Sequence, residues 1–213
     1  MTASELWIIA GPNGAGKTTC AKTKPIADLM PDVSFFNPDD RTLLKLQSAG
    51  YQGFLDAPVD VQTRLFFESA DEVFEELKRA LAQKQKIGVE TVLSTDKYRS
   101  LVEMVRNDGG IFCLIYVALK SPSIAKERVA ARVKRGGHGI SDEKIEQRWE
   151  RSLKNLPWFA ERATNFWVID NSASPPFGAP QLIASGKQGV VEYLAEDVFP
   201  EMKLALSSIG TTR

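Results

Sequence analysis

Residues 11–18, with the sequence GPNGAGKT, constrain this chain more than any other stretch. They match the phosphate-binding loop pattern G-x-x-x-x-G-K-[ST] at every fixed position. An apolar run at 6–10 precedes the loop, and residues 19–22 can begin a helix after it. Glycines let the backbone curl so that its N–H groups point inward, and a helix N-terminus adds partial positive charge. The pattern therefore predicts a strand, loop and helix that bind nucleotide phosphates.

Two residues of the loop have expected chemical roles of their own. Lys17 can reach the terminal phosphates, and the hydroxyl of Thr18 can bind Mg²⁺. The residues expected to contact the nucleotide are Gly11, Pro12, Asn13, Gly14, Ala15, Gly16, Lys17, Thr18 and Thr19.

Composition limits the class of protein. A chain of 213 residues is long enough for one α/β domain, and we expect a single domain over 1–213. The 27 basic and 27 acidic residues balance, which argues against nucleic acid or an anionic membrane as a partner. The apolar runs are too short for a membrane span or a secretion signal, so we expect a cytoplasmic protein. Cys20 and Cys113 are expected to be small core residues without a disulfide.

The chain alternates short apolar runs with longer helical patterns, which predicts a parallel sheet covered by helices on both faces. The predicted strands are 6–10, 33–36, 87–93, 111–119 and 166–169. The predicted helices are 17–29, 59–85, 96–107, 122–134, 141–155 and 190–206. Residues 172–189, rich in Pro, Gly and Ser, are expected to form a loop with at most one short strand. The predicted fold is an α/β P-loop NTPase with a doubly wound, kinase-like sheet of about five strands.

The phosphate-binding loop occurs in several classes of protein, and the rest of the chain narrows the choice. An ABC-type ATPase needs an L-S-G-G-Q signature, and a GTPase needs an N-K-x-D motif to read its base; this sequence has neither. A small-molecule kinase needs the loop, an acid near the second strand, and arginines from a lid over the phosphates. This chain offers all three.

Acidic residues lie after the second predicted strand and within the third. Asp39 and Asp40 come just after the second strand, where a carboxylate can accept the proton of an attacking hydroxyl. Either one can instead cap the helical pattern that starts at Arg41. Glu90 interrupts the apolar third strand, which favours contact with a substrate or Mg²⁺ unless the strand lies at an edge facing water.

Arginines are spaced to form a lid. Arg128, Arg132 and Arg135 share one helical face and are followed by the sequence GGHG, which is flexible enough for a hinge. Arg148 and Arg151 recur three residues apart on the next helix. Arginine binds phosphate oxygens through two parallel hydrogen bonds, so these faces suit closure over a nucleotide. The alternative is a solvated helix face paired with neighbouring glutamates.

Together these segments resemble the zeta-toxin family of P-loop kinases, in particular its chromosomal branch labelled as predicted ABC-type ATPases. The matching segments are GPNGAGKTT, FFNPDD, VETVLST, RVAARVKRGGHGIS, IEQRWERSLKNL and VIDNS. The resemblance implies a kinase that uses ATP and Mg²⁺ to phosphorylate a sugar hydroxyl, as zeta toxins do with UDP-N-acetylglucosamine. A small-molecule acceptor and an antitoxin protein are the partners that it implies.

The resemblance also implies roles for particular residues. Asp39 is similar to the catalytic base, and Asp40, Glu90 and Thr91 to residues that contact the acceptor. Arg128, Arg132 and Arg135 compete for one role on the transferring phosphate, and His138 or Arg148 for another. The catalytic set that it implies is Asp39, Lys17, Arg128, Arg132 and Arg135, with Arg148 on the nucleotide and Thr18 on the metal.

The sequence departs from the toxins near the acceptor. Residues 41–43, Arg-Thr-Leu, stand where the toxins continue with Phe and then His-Pro, and Thr91-Val92 replaces a Gly-Thr pair. These differences leave open a second hypothesis: a P-loop ATPase or nucleotide-dependent switch that acts on a protein partner, with no small-molecule acceptor.

Overall fold

The computed structural model describes residues 3–173 and 179–211. Its strands are β1 (Glu5–Ala10), β2 (Ser34–Phe36), β3 (Lys86–Thr91), β4 (Ile111–Ala118), β5 (Asn165–Asp170), β6 (Gln181–Lys187), β7 (Val190–Leu194) and β8 (Gly210–Thr211). Its helices are α1 (Lys17–Ala21), α2 (Lys24–Ala27), α3 (Pro38–Ser48), α4 (Val59–Ala82), α5 (Arg99–Asn107), α6 (Pro122–Val133), α7 (Asp142–Arg162) and α8 (Pro200–Leu206).

The strands form one sheet in the order β2-β3-β1-β4-β5-β6-β7-β8. The first five of these are the predicted strands, and all of them pair in parallel. Since parallel strands share a direction, their carboxyl ends meet at one edge, where Ala10 is level with Thr91 and with Tyr116. The predicted α/β class is confirmed, and the phosphate-binding loop leaves the sheet at its centre.

Both faces of the sheet are buried under helices. In β1 the side chains of Leu6 and Ile8 join one core cluster, which α4, α5, α7 and α8 complete. Trp7 and Ile9 point to the opposite face, where α1, α2 and α6 cover them. A strand that is buried on both faces reads as a continuous apolar run, which is why the central strands could be recognised in the sequence.

The C-terminal part of the sheet was predicted only in part: β6 lies within 172–189, where a loop with at most one short strand was expected. A helix was expected over 190–206, but residues 190–194 form β7, which pairs with β6 in an antiparallel hairpin. The hairpin turns at Gln188 and Gly189, which have φ values of 50° and 75°. Two consecutive positive φ values are typical of the tight turn whose twist matches antiparallel strands. Only the end of the predicted helix survives, as α8.

Other helix boundaries also differ from the prediction. The helix expected over 17–29 is divided into α1 and α2, because Pro25 lacks an N–H and cannot continue a helix that begins at Lys17. In contrast, α7 extends beyond the predicted end at 155 and passes through Pro157. The burial of Leu156, Phe159 and Ala160 around this proline compensates for the hydrogen bond that it removes.

Helices α3 and α4 pack on each other through a small core of their own. Leu46 of α3 and Leu65 of α4 are buried with Phe54 and Ala57 from the connecting loop. Across the same helix pair, Arg41 binds Glu76 with Nη2 and Oε2 2.7 Å apart. This small core is a cluster separate from the two main cores, while the later turns of α4 also pack into the first of them.

Candidate functional site

A cavity of about 930 Å³ lies at the carboxyl edge of the parallel strands. This volume is large for a ligand site, since such sites commonly measure roughly 300–1,000 Å³. Three walls surround it: a loop wall of Asn13, Gly14, Gly16, Lys17, Thr18 and Thr19; an aromatic wall of Phe66, Phe67, Ala70 and Tyr98; and an arginine wall of Arg128, Arg132, Arg135 and Arg148. Asn37, Asp39, Glu90 and Thr91 also line the cavity.

The loop wall is fixed by close backbone packing. Gly11 has a φ of 143°, and a Cβ at this position would lie 2.1 Å from the carbonyl oxygen of Val117 in β4. No other residue fits so close an approach. Of the nine loop residues predicted to contact nucleotide, Gly11, Pro12 and Ala15 are buried behind the cavity wall, and the other six line it.

The ammonium of Lys17 is held against the loop by two backbone carbonyls. Its Nζ donates to Gly11 O at 2.9 Å and to Pro12 O at 3.2 Å. Burial lowers the pKa of Lys17 to about 8, opposed by the negative charges of Glu90 and Asp39. A bound anion would stabilise the charged form of this buried lysine, so the site is suited to phosphate.

Thr18 and Glu90 meet at the base of the loop wall. The Thr18 hydroxyl donates to Glu90 Oε2 at 2.8 Å, and Asn37 Nδ2 approaches the same oxygen at 3.5 Å. Burial raises the pKa of Glu90, with Asp40 and Asp39 adding to the effect and Thr18 and Lys17 opposing it. Because β3 lies between β2 and β1, Glu90 is not at a sheet edge, and the alternative of an edge position facing water is wrong.

The two neighbouring aspartates both lie in the first turn of α3 but differ in their exposure. Asn37 caps this helix, since its Oδ1 accepts from the Asp39 backbone N–H at 2.9 Å. Neither aspartate is therefore the cap, which corrects that alternative. Asp39 is half-buried and lines the cavity, whereas Asp40 is exposed and does not line it.

The arginines differ in how they are held. Arg128 donates from Nη1 to Asn171 O at 2.7 Å and from Nη2 to Ala173 O at 3.0 Å, which ties α6 to the chain after β5. Arg132 donates from Nη2 to His138 O at 2.7 Å. Arg135 is exposed and donates from Nε to the carbonyl of Ala131, within its own helix.

The two arginines of the next helix, Arg148 and Arg151, also differ in their burial. Arg148 is half-buried in the cavity wall, and its pKa is lowered by burial and by the charge of Arg151. Arg151 is exposed and does not line the cavity. Glu146, one of the neighbouring glutamates in the alternative of a solvated helix face, binds Lys126, with Nζ and Oε1 2.6 Å apart.

The family comparison agrees with this geometry. The Zeta toxin family model matches residues 3–173, which is most of the chain. The chain belongs to the Zeta toxin family. No curated protein sequence is similar enough to support a further comparison.

Solved structures with the same fold share little sequence with this Zeta toxin family chain. A chain of the AvrRxo1-ORF1:-ORF2 complex with ATP is 15% identical over 98% of this chain and 64% of that chain, with a TM-score of 0.64. The PezAT chromosomal toxin–antitoxin system of Streptococcus pneumoniae is 15% identical, covering 84% and 72%, with a TM-score of 0.55. A chain of the Pnkp1/Rnl/Hen1 RNA repair complex is 15% identical, covering 73% and 46%, with a TM-score of 0.53.

These likenesses show the fold of a P-loop kinase or ATPase. This Zeta toxin family chain spans less than two thirds of the AvrRxo1 chain that it matches. In the described part of the chain, no helix is long and apolar enough to cross a membrane.

The aromatic wall was not anticipated from the sequence. Phe67 of α4 is 63% exposed and lies outside the helix's buried stripe of Leu65, Ser69 and Val73. An aromatic residue out of phase with the buried face is the signal that could have identified it. Nearby, Lys97 Nζ binds Asp71 Oδ1 at 2.7 Å, which fixes the loop after β3 beside this wall.

Asn171 lies at the end of the last predicted strand, in the matching segment VIDNS, where the resemblance implies contacts on the nucleotide side. Its Nδ2 donates to Ala15 O at 2.8 Å, and its carbonyl oxygen accepts from Arg128. The residue after β5 therefore connects the loop wall to the arginine wall. The sequence carries no local sign of this link, because the two bonded residues are 156 positions apart.

The site is compatible with Mg²⁺ beside a nucleotide. Among the described residues, no group of three or more His, Cys, Asp or Glu could hold a metal ion. P-loop enzymes do not need such a group, since Mg²⁺ there takes a Thr hydroxyl, phosphate oxygens and water. Thr18 supplies the hydroxyl, and Glu90 lies within hydrogen-bond distance of it.

Proposed function

We propose that this chain is an ATP- and Mg²⁺-dependent kinase that phosphorylates a hydroxyl of a small molecule, a nucleotide-linked sugar such as UDP-N-acetylglucosamine being the first candidate. The observation that supports it most is the placement of Asp39 and Glu90 in the same cavity as Lys17, the phosphate-binding loop and four arginines. The cavity is large enough for a nucleotide and a second ligand, which a plain nucleotide-binding site would not require.

Different residues have different roles in the proposed phosphoryl transfer. Lys17 and the loop amides hold the β- and γ-phosphates of ATP. Mg²⁺, when bound at Thr18, neutralises charge on those phosphates. Glu90 and Thr91 orient the acceptor, and its hydroxyl lies against Asp39.

The transfer step moves one proton and one phosphoryl group. Asp39 accepts the hydroxyl proton as the acceptor oxygen forms its bond to the γ-phosphorus. The bond from that phosphorus to the bridging oxygen breaks, and ADP leaves. Arginines of the arginine wall stabilise charge on the transferring group, which contributes on the order of a thousandfold or more. Asp39 then returns its proton to solvent.

The departures near Asp39 make the acceptor the first thing to test. Incubation with γ-labelled ATP, UDP-sugars and a metabolite extract should yield a labelled small molecule. Release of labelled phosphate without a labelled metabolite would support the alternative, an ATPase or switch that acts on a protein partner. We also propose an antitoxin protein as a partner, because the structurally similar PezAT is a toxin–antitoxin system.

The base is tested by two neighbouring substitutions. Asp39→Asn should lower the transfer rate by roughly 10²–10⁴-fold, since an amide cannot accept the proton. The affinity for ATP should remain close to that of the wild-type protein. Asp40→Asn should change the rate much less, because Asp40 does not line the cavity. Equal effects of the two changes on the initial rate would refute the assignment of Asp39 as the base.

A further inference from the structure

Three arginines of α6 are candidates to bind the γ-phosphate of a nucleotide, and they differ in the contacts that each side chain makes. The guanidinium of Arg128 is engaged with backbone carbonyls after β5. Arg135 is exposed at the cavity mouth and is tethered only to its own helical turn among the contacts described. Arg132 is half-buried, and its charge acts on Lys17, whose pKa it helps to lower.

The turn after α6 holds Arg132 from two sides. Arg132 Nη2 donates to the carbonyl oxygen of His138 at 2.7 Å. On the other side, a Cβ on Gly137 would lie 2.5 Å from Arg132 Cγ, so the aliphatic stem rests against a bare backbone. In the described structure the Arg132 Nε is buried with no hydrogen-bond partner, so the hydrogen-bonding capacity of this guanidinium is not fully used within the protein.

The ring of His138 anchors this turn to the helix pair α3–α4. The imidazole lies 5.1 Å from the ring of Phe54 and stacks on Phe66 at 6.2 Å, with an interplanar angle of 2° for the second pair. His138 does not line the cavity, whereas Phe66 does. The ring is therefore seated behind the aromatic wall, and it fixes the carbonyl that holds Arg132.

We propose that His138 is a positioning residue that sets Arg132 on the γ-phosphate of ATP by seating the 136–139 turn between Phe54 and Phe66. The inference rests on the proposed function only in assigning the nucleotide as ATP. Phe66 lines the cavity and also contacts His138, so the aromatic wall takes part in orienting the lid arginine.

The test measures γ-phosphate recognition without turnover. Calorimetry in the presence of Mg²⁺ and the absence of acceptor gives the dissociation constants for ADP and for an ATP analogue with an imido bridge between the β- and γ-phosphates. Their ratio is the preference for a γ-phosphate. Arg132→Ala should lower the ratio about tenfold or more, as expected for the loss of a charge-assisted hydrogen bond.

His138→Ala should lower the ratio by a similar factor, and His138→Phe should restore it because phenylalanine keeps the stacking. Arg132→Ala combined with His138→Ala should match Arg132→Ala alone, since both changes remove the same contact. The proposal is overturned if His138→Ala leaves the ratio unchanged, if His138→Phe fails to restore it, or if the double variant loses the product of the two effects.

A second pair of variants covers the case in which His138→Ala fails to fold. Gly137→Ala displaces the stem of Arg132 and should lower the ratio in the wild-type background but not in Arg132→Ala. Gly139→Ala, whose Cβ would lie 3.1 Å from Val133 Cγ2, is the matched control and should keep the ratio. An unchanged ratio in Gly137→Ala overturns the proposal, as does a wild-type ratio of one. A wild-type protein that shows the preference but transfers no phosphate would overturn the kinase function alone.

Discussion

The loop wall and the aromatic wall of the cavity are built in different ways. The loop wall comes from a single loop whose backbone is fixed from behind, by Gly11 packed against Val117 of β4 and by Ala15 bonded to Asn171. The aromatic wall consists of side chains from α4 and the loop after β3, and it is supported by the small α3–α4 core and surface ion pairs. Rigid backbone suits the invariant phosphates of a nucleotide, whereas separate side chains can be exchanged to suit another ligand.

The largest effect is expected when the positive charge of the loop wall is removed. Lys17→Ala should abolish phosphoryl transfer, with a loss of about 10³-fold or more, because no other group replaces the ammonium on the β- and γ-phosphates. Initial rates and ATP binding measure the effect. Lys24→Ala, in exposed α2, serves as the control and should retain activity. Retention of activity by Lys17→Ala would show that the loop wall is not the nucleotide site.

The pH dependence of nucleotide binding tests the same wall with a smaller change. Because the pKa of Lys17 is about 8 in the folded protein, below its ordinary value of 10.5, the free protein binds fewer protons than the unfolded chain between these values. This group therefore makes the free energy of unfolding rise with pH from about 8 to 10.5.

A bound polyphosphate favours the charged lysine, so ATP binding should take up a proton above pH 8. The affinity for ATP should then fall by up to about tenfold per pH unit above that value. Calorimetry in two buffers of different ionisation enthalpy measures the proton uptake. Lys17→Arg keeps its proton in this range and should show none. Uptake that is equal in both proteins would assign the proton to another group.

Replacement of Phe67 tests whether the aromatic wall binds the acceptor. Phe67→Ser should raise the KM for the acceptor several-fold and leave the KM for ATP unchanged, because the ring lines the cavity as part of the aromatic wall and not of the loop wall. Leu44→Ser on α3 is a matched control, since Leu44 is 64% exposed and does not line the cavity. Steady-state kinetics with both substrates varied measure the split. A rise in the KM for ATP alone would place Phe67 on the nucleotide.

The smallest effect is expected where the loop wall is tied to β5. Asn171→Ala removes the bond to Ala15 O and should lower the free energy of unfolding by about 1 kcal/mol. Denaturant unfolding with and without ATP measures it, and exposed Asn107→Ala is the control. An ATP affinity that falls far more than the stability would show that Asn171 contacts the nucleotide directly.

The same contrast explains which parts could be predicted. The five parallel strands were found because they are buried on both faces and read as apolar runs. The β6–β7 hairpin was missed because Val190–Leu194 takes its conformation from pairing with β6, and a short amphipathic stretch allows either structure. The signal that was available is the turn at Gln188 and Gly189.

Within the site, Lys17, Asp39, Glu90 and the α6 arginines were predicted as candidates and all line one cavity. Their functional roles remain predictions. The family resemblance chose Asp39 over Asp40 as the base, but local sequence could not show which aspartate lines the cavity, because that depends on the helix cap that Asn37 forms at the start of α3. Local sequence also could not place Phe67, whose exposure depends on how α4 packs.

The sequence by itself determined the Zeta toxin family, the central sheet and the phosphate-binding loop, because these depend on contiguous residues and on local backbone geometry. Only the tertiary structure decided which aspartate after β2 lines the cavity, that aromatic side chains of α4 form one of its walls, and that His138 packs between Phe54 and Phe66 while its carbonyl holds Arg132. Those features depend on the directions of side chains from elements far apart in the chain, and packing fixes such directions only when the elements meet.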